Sequence, residues 1–343
     1  GLKAVTKTAI SYPMASKFRT GLTVAMFALI IFTLMIFSVL NGIQDVTTEQ
    51  PERVTGGYDI KATITPDLPI SGDIKNFLNR SDFTVVAGAS NVRVEVKEYE
   101  GENNTYKGAR LVSLENDFFE STQWRMTHLD PKYGTTDREI WSSIADNENL
   151  VIASATIIPT EDPFGPPDRS FKTSYLAPGD LKEMESFAIE MKKRRSSAEP
   201  EELIVIGVIE RLASGTGYGG GSARFYSPRS LGAKIAKEEI PLDTFYFSLK
   251  DKGKAANYSQ KLEKIFLANG MNAESLLDQL EEERATRNAF NKLFQGFSGL
   301  GLVVGVAAIG VLSVRAVVER RQSIGILRAI GFRSSMIRTQ FLI

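Results

Sequence analysis

The sequence has no cysteine and one histidine, His128. The first absence excludes disulfides, thiolate metal sites and a cysteine nucleophile. It leaves the compartment open. The second leaves no imidazole set for a metal site or a Ser/His/Asp triad. No G-x-x-x-x-G-K-[ST] run is present, so a phosphate-binding loop is missing as well. The acidic residues are scattered and offer no acid/base pair. The chain is therefore expected not to be an enzyme and to hold no cofactor and no metal. Charge of one sign is also lacking: 41 basic residues stand against 41 acidic ones in 343. That balance gives no footprint for a nucleic-acid partner.

Two stretches lack charge altogether. One is GLTVAMFALIIFTLMIFSVL, residues 21–40, and the other is FQGFSGLGLVVGVAAIGVLSV, residues 294–314. Each is long enough to cross a hydrocarbon core of about 30 Å as a helix. The mean hydropathy of −0.11 averages these two with a large polar middle. The first stretch is too long for a signal-peptide core and has no small-residue cleavage site after it. Lys3, Lys7, Lys17 and Arg19 precede it, and Arg315, Arg320, Arg321, Arg328, Arg333 and Arg338 follow the second. Basic flanks mark cytoplasmic ends. Both chain ends are thus expected inside, with the intervening residues outside. Gly301 and Gly305 form a small-xxx-small pair that lets two membrane helices approach, and Gly310 continues that face. The alternative is that these glycines only loosen the helix. The absence of Met at position 1 and the apolar ending FLI suggest a piece of a longer polypeptide.

The middle alternates between strand and helix patterns. Period-two or β-branched runs at 58–65, 83–87, 91–98, 109–114, 150–153, 187–191, 203–209 and 244–249 predict strands. Helices are expected at 72–79, 115–121, 228–238 and 253–268. The class is α+β. The loop EDPFGPPDRS, 161–170, carries Glu161, Asp162 and Asp168, but its prolines suit a rigid turn better than a calcium loop. GTGYGGGS, 215–222, reads as a flexible hairpin tip. Three sequons, at Asn79, Asn103 and Asn257, are glycosylation acceptors if the host has the machinery. Residues 274–297 contain no Pro, and no Gly before Gly296. Leu276, Leu277, Leu280, Phe290, Leu293 and Phe294 lie near one face, which predicts a stalk helix running into the second span. A break near Gly296 is the alternative.

The stretch ERRQSIGILRAIGFRSSMI resembles the signature of the FtsX-like permeases, the membrane subunits of MacB-type ABC transporters. The family pattern is roughly E-R-R-x-E-I-G-I-L-R-A-I-G-A-x-x-x-x-I. Glu319, Arg320, Arg321, Ile324, Gly325, Ile326, Leu327, Arg328, Ala329, Ile330, Gly331 and Ile337 fall on it. Ser323 departs where an acid is usual, and Phe332 where a small residue is usual. KFRTGLTVAMFALI is similar to the family's entry into its first helix. The order of elements resembles a split βαβ porter domain carrying a β-rich insertion at about 149–227. ARLVSLENDFFESTQWRM is similar to the family's strand and acidic turn. YLAPGDLKEM followed by EELIVIGVIE is similar to its G-D strand pair.

The resemblance implies a division of the chain. Residues 1–20 are an amphipathic entry segment, 21–40 and 294–314 transmembrane helices, 41–273 the extracytoplasmic domain and 274–293 the stalk. Residues 315–343 are a cytoplasmic coupling segment leading towards a possible third span. Coupling to an ABC-type ATPase subunit would rest on Glu319, Arg320, Arg321, Ile324, Gly325, Leu327, Arg328, Ile330 and Gly331. Other implied partners are a second permease copy or half, the lipid membrane, and an extracytoplasmic protein or substrate. The implied action is mechanical export or extraction at the outer face of a cell membrane crossed several times. The residues agree: Ile324, Leu327 and Ile330 can form an apolar centre rimmed by arginines. Two other readings stay open. One is a basic helix held only by anionic lipid. The other is a two-span receptor with a ligand-binding outer domain, which would continue into a signalling module after Arg321 rather than into further spans.

Overall fold

A computed structural model describes residues 51–159, 170–179, 182–210, 222–319, 321–329 and 331, with nine scattered positions between 21 and 36. The expected features at 1–20, 160–169, 211–221 and 332–343 lie outside the described residues, as do most of the first span, Arg320 and Ile330. The chain divides into two compact units, Thr47–Glu283 and Gly1–Val46 with Arg284–Ile343.

The unit Thr47–Glu283 is a mixed α/β domain built on ten strands. They are β1 (Ile60–Thr63), β2 (Phe83–Glu98), β3 (Lys107–Leu114), β4 (Met126–Leu129), β5 (Leu150–Ser154), β6 (Phe187–Lys193), β7 (Glu201–Ile209), β8 (Ala223–Pro228), β9 (Thr244–Leu249) and β10 (Asn272–Ser275). The helices are α1 (Pro51–Thr55), α2 (Asn116–Ser121), α3 (Asp137–Ala145), α4 (Arg229–Ala236), α5 (Ala255–Ile265), α6 (Leu276–Glu319) and α7 (Arg321–Ala329). A 3-10 turn spans Ile74–Phe77. The strand order is β10-β1-β9-β2-β3-β8-β5-β7-β4, and β6 pairs with both β2 and β7. That last pairing closes a ring, β2-β3-β8-β5-β7-β6.

Alternation assigns each face of these strands to a core. Val92, Val94, Val96, Leu111, Val151, Phe187, Ile189, Val205 and Phe225 point into the ring and form one cluster. Residues of the opposite parity form a second cluster under α2 and α3, where Phe118 touches the rings of Tyr58, Trp124, Trp141 and Tyr246 at 5.3–5.9 Å. Both indoles are anchored. Trp141 Nε1 donates to the Trp124 carbonyl at 3.1 Å, and Trp124 Nε1 to that of Val54 at 3.2 Å. The third cluster packs α5, through Leu262, with Phe266 beyond its end, onto Ile60, Phe245 and Phe247.

Several elements differ from expectation for local reasons. The two runs at 83–87 and 91–98 are one strand of 16 residues. Gly88 does not break it: an added Cβ would meet Glu115 Oε2 at 2.6 Å and Leu242 Cδ1 at 2.7 Å, so the glycine permits close approach. The helix expected at 72–79 is only the short 3-10 turn. The helix expected at 115–121 is present as α2, and it takes up the acidic turn of the family resemblance. Among the described residues, the first half of the expected G-D strand pair forms no strand. Its described residues hold one isolated bridge, Glu183 to Leu129, and the antiparallel partner of β7 is β6. β4, α3 and β10 were not foreseen. For α3 the signal was present: Thr136 and Glu139 form a capping box.

β2 ends on Glu98, which is fully buried. Its carboxylate accepts hydrogen bonds from Ser174 N and Oγ, Thr173 Oγ1 and Asn103 N at 2.6–2.9 Å. Four donors offset the cost of burying the carboxylate and tie the 173–174 segment to the ring. At α4, Gly232 lies on β3 so closely that a Cβ would meet Ser113 Oγ at 2.0 Å and Ser113 Cβ at 2.7 Å. A methyl group on a helical glycine ordinarily stabilises by about 1 kcal/mol. Here Gly232→Ala is expected to destabilise, and Gly232→Val to cost about 1–3 kcal/mol by overpacking. Denaturant unfolding read by Trp124 and Trp141 fluorescence checks this; a midpoint equal to or above that of the parent refutes the close packing.

Candidate functional site

In α6, 44 residues run without a break at Gly296. Ser275 caps its start, its Oγ accepting from Asp278 N at 3.4 Å, and Leu276 N donates to the Asp59 carbonyl at 2.9 Å. The uncharged run 294–314 lies wholly within this helix. Among the described residues no helix is long and apolar enough to cross a membrane. Apolar side chains nonetheless stand exposed along α6, including Phe297, Leu300, Val303, Val311 and Val314 at 64–69%. The described positions between 21 and 36 are helical, and Val24, Leu29, Ile31, Phe32 and Met35 among them are equally exposed. A Cβ at Gly301 or Gly310 would meet nothing within 4 Å. Among the described residues these two glycines make no close contact; the surroundings of Gly305 are outside the described side chains.

The described helical residues run through Glu319 in α6 and resume at Arg321 in α7, with Arg320 between them outside the description. Ile324 is half-buried, whereas Arg321, Gly325, Ile326, Arg328 and Ala329 are exposed. Leu327 belongs to the helix, though its side chain is outside the description. Arg321 and Arg328, seven residues apart, share one side of the helix. Gly325 sits inside α7 and makes no turn. The turn is at Gly331, whose φ of +92° suits only glycine and whose N–H donates to the Arg328 carbonyl at 3.1 Å. Of the predicted coupling residues, the structure brings Arg321, Ile324, Gly325, Leu327 and Arg328 onto one helix with Gly331 as its stop. Glu319 belongs to the helix before.

The Thr47–Glu283 unit carries a feature that the sequence did not announce. An open cleft of about 510 Å³ is lined by Lys75, Leu78, Arg80, residues 83–86 of β2, and Asp117, Glu120 and Ser121 of α2. Lys75 Nζ bonds to Asp117 Oδ2 across it, and that hydrogen bond holds the ammonium above its ordinary pKa. Elsewhere on the ring, Tyr106 donates to Glu190 Oε2 at 2.8 Å beneath Lys192. Burial, then the bond to Glu190, push its hydroxyl up to about 12. Among the described residues no acidic or histidine cluster could hold a metal ion.

The class defined by these features is a ten-stranded mixed α/β domain whose last strand leads into a long helix with exposed apolar side chains, with an amphipathic helical stretch at Arg321–Ala329. No family model and no curated protein matches the sequence. Solved structures similar to it include the periplasmic region of MacB from Actinobacillus actinomycetemcomitans, at 12% identity and a TM-score of 0.39, covering 69% of this chain and 97% of that one. The extracellular domain of the noncanonic ABC-type transporter YknZ from Gram-positive bacteria is similar at 10% identity and a TM-score of 0.33, covering 63% and 99%.

Proposed function

We propose that this chain is a permease subunit of the MacB/FtsX type, set in a cell membrane with the Thr47–Glu283 unit outside. It couples ATP hydrolysis by a partner ATPase to movement of that outer domain. The observation that carries the reading is the signature helix. ERRQSIGILRAIG spans the last residue of α6 and all of α7, an amphipathic helical stretch, and its final glycine, Gly331, has a positive φ. A lipid anchor needs apolar and basic side chains but no glycine at either position. The uncharged run at 294–314, the exposed apolar side chains of α6 and the basic flanks support the membrane crossing. The chain supplies no catalysis of its own; it transmits motion, and the work done is export or extraction at the outer face.

In this reading α7 enters a groove on the ATPase, with Ile324, Leu327 and Ile330 as its apolar centre and Arg320, Arg321 and Arg328 at the rim. Burying one such side chain is worth about 1.5–3 kcal/mol. Leu327→Asp is expected to cost at least that and to leave a desolvated charge. Expression and membrane insertion should be normal, while stimulation of the partner's ATPase activity is lost. Full coupling in this variant sinks the reading and leaves α7 a lipid anchor.

Two further elements belong to the proposal. The absence of cysteine makes single engineered ones clean topology probes. In intact cells, a cysteine at position 103 should label fast with an impermeant maleimide and one at 334 slowly; the reverse pattern ends the inside-outside assignment. Gly301, Gly305 and Gly310 pack against a second permease copy or half, as a small-residue face allows close approach of two membrane helices; among the described residues nothing lies within 4 Å of a Cβ at Gly301 or Gly310. Gly301→Leu should weaken association of the permease pair in detergent while leaving helix content unchanged. Undiminished association shows that these glycines only loosen the helix.

A further inference from the structure

The cleft between α2 and the 75–80 segment has the edge of a strand as its floor. β2 pairs with β9 over residues 83–89 and with β3 only from Ala89 onward. After Leu114 the chain leaves the line of β3 and turns into α2. No strand replaces it beside the first half of β2 among the described residues. The last group satisfied on that side is Gly88. Its N–H donates to Glu115 Oε2 at 2.9 Å, and its carbonyl accepts from Glu115 N at 3.0 Å. Ala89 faces the other way, its carbonyl accepting from Asp243 N at 3.0 Å. By alternation the N–H and C=O of Val86 face the same side as those of Gly88, into the cleft. Val85 and Val86 are half-buried and Thr84 is exposed, so the edge is open to a ligand.

The walls lie on opposite faces of the sheet. α2 packs in the cluster that holds Val85 and Ala87, and the 74–78 segment packs in the cluster that holds Phe83 and Val86. One wall presents Asp117 and Glu120, the other Lys75 and Arg80. A strand laid along the edge points alternate side chains to the two faces. We propose that this cleft binds an extended segment of a partner protein by β-strand addition, the segment alternating basic residues towards α2 with acidic residues towards Lys75 and Arg80. Main-chain bonds at Val86 supply the affinity, and the two charged walls select the sequence. In the empty cleft the Lys75–Asp117 pair bridges the walls in front of the edge and shields it from non-specific pairing. Its side chains are 32% and 45% exposed, so water screens the pair and a strand with matching charges displaces it readily. This inference stands apart from the coupling role of α7.

The test uses the full chain in detergent micelles and a synthetic peptide alternating lysine and glutamate. Hydrogen exchange at the Val86 amide is followed with and without peptide. At a free peptide concentration ten times Kd, exchange should slow about elevenfold, the factor 1 + [L]/Kd. A peptide of the same sequence with alternate amides N-methylated keeps its charges but loses half of its donors, and should neither bind comparably nor protect Val86. All-lysine and all-glutamate peptides should bind more weakly than the alternating one. No binding by the alternating peptide overturns the proposal. So does unchanged exchange at Val86 with peptide bound, and so does equal binding of the N-methylated peptide, which means adsorption by charge alone.

Discussion

The Thr47–Glu283 unit depends on the ladder of one strand. β2 gives its first half to β9 and its second half to β3 and β6. Two of the three hydrophobic clusters meet across its first half and the third begins on its second. A side chain on β2 is therefore fixed in three packing environments by register alone. A slip of one residue would turn Val92, Val94 and Val96 out of the ring and bring Arg93 and Glu95 into it. Gly88 and Glu115 sit at the changeover between the two sets of partners, where the glutamate carboxylate occupies the place of a neighbouring strand.

Most strands were legible because their signal is local. β5, β7 and β9 each contain a short apolar run rich in β-branched or aromatic residues, buried on both faces over most of its length. What escaped was set by distant partners. The runs at 83–87 and 91–98 were read apart, yet they form one strand, and the contact that demands a glycine at 88 comes from Glu115 and Leu242. β10 has four residues and exists because β1 and α5 cover it. β4 is equally short; it pairs with the edge of β7 on one side and through an isolated bridge with Glu183 on the other. Ring closure could not be read from the sequence at all, since it rests on β6 meeting both β2 and β7.

The site divides in the same way. A dense motif made α7 visible, and its spacing gave the helix and the shared side of Arg321 and Arg328. The roles of its two glycines were not separable by spacing; only the backbone shows Gly331 as the stop and Gly325 as an interior residue. The cleft left no trace in the sequence. Lys75, Arg80, Asp117 and Glu120 come from two segments some forty residues apart, and nothing in either run sets them apart from other surface charges. Its decisive feature is a direction of backbone groups, which side-chain patterns do not encode.

The closed ring also orders events during synthesis. All six of its strands, β2 to β8 without β4, lie between Phe83 and Pro228. A ribosome that has just released Pro228 has delivered every strand the ring needs. β1 precedes them in the chain, yet its two neighbours, β9 and β10, end at Leu249 and Ser275. The segment made first thus waits longest for its partners, because its pairings span nearly the whole unit. Until Ser275 emerges, the ring can stand complete while Ile60 and Ala62 remain uncovered, a nascent state with one finished core and one exposed apolar strand.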